Sequence, residues 1–154
     1  MENIPPFARK YHRKALERAA KVQRECTRED SCPLSPTRKK YLRAIYEIGL
    51  RQKEIRSKSV CDLLGVTRSS FASMVRDLKE DGYVDYSPYG PIILTPKGEA
   101  KAMKLYERHS VIHRFLNDVL ELDLKTAQIV AEDFSIIATK PVVEKLKLLT
   151  DSAA

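Results

Sequence analysis

The stretch from Ser35 to Leu94 changes its hydrophobic period at one place, and that change constrains the fold more than any other feature. Three helical patterns come first. Ser35-Pro36 opens the first, serine as N-cap and proline in the opening turn. Tyr41, Leu42, Ile45, Tyr46 and Ile48 form its apolar face, and the pattern stops near Gly49. A shorter helix follows over about 58–64, with Val60, Leu63 and Leu64 apolar and Gly65 as a left-handed cap. Val66 fills the turn, and Thr67 caps a third helix over about 68–81. Phe71, Met74, Val75 and Leu78 point inward there, and Gly82 ends it. The pattern then becomes strand-like at Tyr83–Tyr86 and Ile92–Leu94, with Ser87-Pro88-Tyr89-Gly90 as turn chemistry between the runs. Helix, helix, tight turn, helix and two-stranded hairpin is the order of a winged helix-turn-helix.

The remainder is helical. Thr95-Pro96 opens a long helix, about 96–120, and Asp123 caps another that runs to about 138. Thr139-Lys140-Pro141 breaks the pattern, and a last helix reaches about 149. Upstream, Phe7, Tyr11, Ala15, Ala19, Val22 and Cys26 make one thin apolar stripe on a helix over 5–28, followed by a linker. The expected fold is mainly α. A basic helical arm and linker occupies 1–34, a winged helix-turn-helix 35–97, and a helical dimerisation domain 98–154. The apolar residues after 96 exceed what a small helical set can hide, which predicts a homodimer.

Winged helix-turn-helix geometry puts the exposed N-terminal half of the third helix into the DNA major groove. Its exposed positions are Arg68, Ser69, Ser70, Ala72, Ser73, Arg76 and Lys79. Small residues allow close approach to base edges, serines donate to phosphates, and arginine pairs with guanine. Tyr89 is the one side chain of the wing tip suited to a phosphate contact, since Ser87–Pro91 carries no cation. Charge agrees with this. The net charge is +7, and it is concentrated upstream: residues 1–58 hold 16 Lys/Arg against 7 Asp/Glu, whereas 59–154 hold 12 against 14. A one-sided basic excess suits a polyanion, here double-stranded DNA with a palindromic operator matching a two-fold dimer.

Other classes find little support. No Ser/His/Asp order or Cys–His pairing suggests an enzyme, and Glu132-Asp133 are adjacent and so diverge on a helix. With 5 glycines, the chain has no Gly-rich phosphate loop. No apolar window approaches a membrane span, and MENIPPFARKYHRK lacks the apolar block of a secretory signal. Three cysteines are too few for a disulfide framework, so the expected location is the reducing cytoplasm. Cys61 reads as a small buried hydrophobe.

The strings LRAIYEI, VCDLLGVTRSSFASMVRDLKEDGYVDYSPYGPIILTPKGEAKA and LYERHSVIHRFLNDVLELD carry a resemblance. Over about 36–149 the chain resembles the diphtheria-toxin-repressor and manganese-transport-regulator family, homodimeric transcription factors activated by Mn or Fe. It resembles the shorter members that lack an SH3-like domain. The resemblance implies metal ligands on the first core helix, the long helix and the one after it. Carried over, the first-helix positions are Lys40 and Arg43, both cations. His109 and Glu132 match, while Ser135-Ile136 stands where a Glu-His pair belongs. Two of six manganese-type positions survive, so no cofactor is firmly implied and the primary metal switch is expected to be lost. In its place, a cation at Lys40 or Arg43 is expected to pair with Glu132. Two alternatives remain. A rearranged site at His109, His113 and Glu132 would keep a metal response, since His109 and His113 share a helix face. A winged helix used only for protein contact would bind no DNA.

Overall fold

The computed structural model describes residues 34–154; the basic helix expected over 5–28, with Cys26, lies outside the described residues, as does Cys32. Two compact units divide the chain, one ending at Met103 and the other running Lys104–Ala154.

In the first unit, helix α1 spans Pro36–Arg51, and the Ser35 hydroxyl accepts from the Arg38 amide as its cap. The helix runs two residues past Gly49, near which its end is expected. A Cβ there would lie 3.1 Å from the Ile55 side chain, so this glycine serves close packing rather than termination. Helix α2 (Ser57–Leu64) ends at Gly65 in the left-handed conformation, φ 65°. Thr67 caps α3 (Arg68–Glu80) by accepting from the Ser70 amide. The core is built from one face of each helix: Leu42, Ala44 and Ile45 of α1, Val60 and Cys61 of α2, and Phe71, Val75 and Leu78 of α3. Phe71 stacks on Tyr41 and meets Tyr86 edge-on. Burying a side chain of this size contributes about 1.5–3 kcal/mol.

Strands β1 (Val84–Asp85) and β2 (Ile93–Leu94) pair antiparallel, with Val84 opposite Leu94. Both are shorter than the runs that announce them. Ile55 adds a third edge by bridging to Ile92, whose amide donates to the Ile55 carbonyl at 2.8 Å. Helix α4 (Pro96–Arg114) begins against this hairpin. The Thr95 hydroxyl accepts from the Gly98 amide and donates to the Gly82 carbonyl. Gly98 is required by close approach: a Cβ there would sit 1.7 Å from the Tyr83 carbonyl oxygen.

In the second unit, the continuous helix expected to residue 120 is interrupted. After Arg114 the chain enters a π-helical turn, Phe115–Val119, which closes with Leu120 donating to the Phe115 carbonyl. Glu121 then takes a positive φ of 56° and stops the helix. Asp123 caps α5 (Leu124–Ile137) through the Thr126 amide, and the bonds it accepts hold its carboxyl below the usual range. Helix α6 spans Lys140–Ala153, past the expected end near 149. Ile112, Leu116, Ala127, Ala131 and Ala138 form the core, with Phe115, Leu122, Phe134, Val143 and Leu146 packed against it. Alanines let α5 approach closely. On its other side Ile129 at 58% and Ile137 at 75% stay exposed, with exposed Asp133 between them. No helix among the described residues is long and apolar enough to cross a membrane.

Candidate nucleic-acid interface

Helix α3 is amphipathic in a particular way. Phe71, Val75 and Leu78 face the core, and the opposite side is small, hydroxylated or cationic. Arg68, Ser69, Ser70, Ser73 and Arg76 are exposed there, while Ala72 is half-buried. Thr67 at the cap also hydrogen-bonds the Ser69 and Ser70 hydroxyls, at 3.1 and 3.0 Å. Three hydroxyls thus gather at the N-terminal end, where unpaired amides and the helix dipole favour an anion. Neither Arg68 nor Arg76 makes an ion pair among the described residues, which leaves both guanidiniums available.

Lys79, unlike the two arginines, is engaged within its own unit. Its ammonium donates to the Tyr86 carbonyl at 2.8 Å and lies 3.4 Å from Asp85, tying α3 to the wing. The wing tip is a tight turn closed by the Gly90 amide donating to the Ser87 carbonyl. Tyr89 projects from it, 99% exposed. Cys61 is buried, and burial pushes its thiol up, which makes it a poor nucleophile.

Two ion-pair clusters are absent from the expectations drawn on the sequence. Arg38, in the first turn of α1, reaches Asp81 at 2.8 Å and Asp77 at 3.3 Å. Glu47 accepts from buried Arg43 at 2.5 Å and also from Arg51. The i, i+4 spacing of Arg43-Glu47-Arg51 is the available signal for the second. Nothing local points to the first, because Arg38 and Asp77 are far apart in sequence.

The donor set for a divalent cation fits poorly. Lys40 is half-buried, and Arg43 finds a counter-ion in Glu47 on its own helix. Glu132 accepts from Gln128 at 3.1 Å, and the Ser135 hydroxyl donates to the Glu132 carbonyl. His109 is buried and His113 half-buried, their rings near-parallel with centroids 6.1 Å apart. Among the described residues, no group of three or more His, Cys, Asp or Glu side chains converges to hold a metal. His109, His113 and Glu132 are therefore not brought together as a three-ligand site. Hard divalent ions need several oxygen or imidazole donors, and Lys40 and Arg43 are cations that supply none.

Comparison with known proteins places this architecture. Residues 33–92 match the model of the iron dependent repressor N-terminal DNA binding domain. Residues 95–153 match that of the iron dependent repressor metal binding and dimerisation domain. An uncharacterized HTH-type transcriptional regulator of Methanocaldococcus jannaschii is 34% identical over 112 residues, covering 72% of this chain and 90% of that protein. The HTH-type transcriptional regulator MntR of Lysinibacillus sphaericus is 33% identical over 82 residues, covering 53% of this chain and 59% of that one. The manganese regulator SloR superposes with a TM-score of 0.64 at 26% identity, over 77% of this chain and 55% of that chain. The IdeR of T. acidophilum shares the fold, with a TM-score of 0.65 at 17% identity, over 78% of this chain and 55% of that one. The chain thus spans about nine-tenths of the M. jannaschii relative but little more than half of MntR and the solved structures. With both domain models matched in order and the winged helix-turn-helix in the first of them, the chain belongs to the iron-dependent repressor family of HTH-type transcriptional regulators.

Proposed function

We propose that this chain is a sequence-specific repressor that binds a palindromic operator as a homodimer in the cytoplasm, without the divalent switch of its relatives. Residues 35–97 read DNA and 98–154 dimerise. The observation that carries the reading is the exposed face of α3: a Thr67 cap, a cluster of hydroxyls, and two guanidiniums without an ion pair among the described residues. In the major groove, Arg68 and Arg76 supply charge and base recognition. Ser69, Ser70 and Ser73 meet phosphates or base edges, and Ala72 lets the helix lie close. Lys79 fixes the wing to the helix, and Tyr89 at the wing tip reaches the adjacent backbone.

The apolar outer face of α5, Ile129, Val130 and Ile137, together with Leu148 and Leu149 of α6, supports dimerisation through the second unit. The donor set supports the loss of the metal switch: a buried guanidinium–carboxylate pair stands where a cation would need anionic ligands. A dimer that binds DNA constitutively, or under another ligand, follows. His109 and His113 supply at most two nitrogens, so a metal response through them with Glu132 requires side-chain rearrangement.

Single alanine variants at Arg68 and Arg76 test the assignment. Loss of a base-reading arginine costs about 1–3 kcal/mol and relaxes specificity at one position. Loss of a phosphate contact weakens all sequences alike and lowers the salt slope by about one. Unchanged affinity in both variants would show that α3 is not the reading helix.

A further inference from the structure

Asp77 and Asp81 present a difficulty for a DNA-reading helix. Along α3 and its C-cap residue Asp81 they continue the stripe of Ser70 and Ser73, at spacings of three or four residues. Asp77 lies one turn beyond Ser73, at the edge of the face assigned to DNA. A carboxylate there meets the phosphate backbone with like charge, and in the low dielectric beside a duplex that repulsion is poorly screened. Arg38 answers both acids. Its guanidinium forks, Nη1 to Asp81 Oδ2 at 2.8 Å and Nη2 to Asp77 Oδ2 at 3.3 Å. All three side chains are partly buried, at 30%, 39% and 31% exposure. The planar fork suits two carboxylates one helical turn apart, which an ammonium at the same place would not span.

The pairing is selective. Glu80 neighbours Asp81 in sequence yet is exposed and takes no part in the Arg38 pairs. The other cations around this end of α3 have separate duties: Lys79 is tied to the wing, and Lys97 donates to the Asp81 carbonyl while lying over the Tyr83 ring. Arg38 is thus the cation placed on both aspartate carboxylates.

We infer that Arg38 is a positioning residue for DNA binding: by covering Asp77 and Asp81 it removes the electrostatic repulsion that these carboxylates would exert on the operator backbone. Arg38 does this from the first turn of α1, without needing a phosphate contact of its own. The inference rests on α3 being the reading helix.

A double-mutant cycle in operator affinity at low salt tests it, with Arg38→Ala on one arm and Asp77→Asn with Asp81→Asn on the other. Ion pairs this exposed add little to stability, so every member of the cycle folds; thermal melting checks this. In the native background Arg38→Ala weakens binding about three- to tenfold, a loss that shrinks as salt rises. In the background where both aspartates are already amidated, the same change costs less than about twofold, because no carboxylates remain to cover. The doubly amidated protein with Arg38 intact binds at least as tightly as the native one. Equal losses in both backgrounds would overturn the inference, since Arg38 would then be contacting phosphate itself. Weaker binding by the doubly amidated protein would also overturn it, since the cluster would then be a mechanical clasp. Failure of the underlying reading is separable: Arg68→Ala and Arg76→Ala, run in parallel, would then leave affinity unchanged.

Discussion

At the residue scale the most consequential group is Glu47. It is buried, and it accepts hydrogen bonds from Arg43, also buried, and from Arg51. Such a cluster need not add net stability over an apolar core, but removing the acid leaves positive charge in a low-dielectric setting. Glu47→Ala is expected to cost about 3 kcal/mol in urea unfolding. A loss below about 1 kcal/mol would mean that solvent or another partner readily takes over the guanidinium. This cluster also shows where residue-level reading reaches its limit. The sequence marks Lys40 and Arg43 as cations in ligand positions, with Glu132 as the expected partner of one of them, and leaves Glu47 unremarked. The structure shows that Arg43 also pairs with Glu47, four residues along the same helix. A spacing of i, i+4 is visible in any sequence, but whether the pair is buried depends on how the helix rolls against its neighbours.

At the element scale, caps and turns are legible. Ser35, Thr67 and Asp123 cap the helices they precede, and Gly65 takes the left-handed conformation expected of it. These signals are local, so the sequence carries them directly. Close approaches are not local. Gly49 reads as a stop and is instead a packing position beneath Ile55. The bridge from Ile55 to Ile92 brings to the hairpin a segment whose own pattern gives no hint of pairing. Nor does any residue between 96 and 120 announce the π-helical turn, whose extra backbone register is settled by packing around Phe115 and Leu116. Gly98 joins the wing to α4 in the same non-local way. Gly98→Ala must displace the Tyr83 carbonyl and is expected to destabilise the first unit by about 1–3 kcal/mol. Thermal unfolding with no change in midpoint would show that this approach is not needed.

On the scale of the whole molecule, the two units divide the work. The first has a hydroxyl- and cation-bearing helix face beside a wing. The second has a helix, α5, with small alanines against its own core and exposed Ile129 and Ile137 on the other side. Helix-turn-helix dimers engage two half-sites about one turn of DNA apart, and the proposed function needs one unit to read DNA and the other to pair two chains. The proposed metal-independence rests on chemistry: among the described residues no three His, Cys, Asp or Glu side chains converge to hold an ion. The most direct test is a binding isotherm of chelator-treated protein on a duplex selected from a randomised pool, against scrambled duplex, over a range of salt. Two chains are expected per selected duplex, with a preference of about a thousandfold or more over scrambled sequence. The affinity is expected to fall steeply with salt and to stay unchanged when Mn is added. Equal affinity for selected and scrambled duplex, or a tenfold rise on adding Mn, would contradict a metal-independent, sequence-reading dimer.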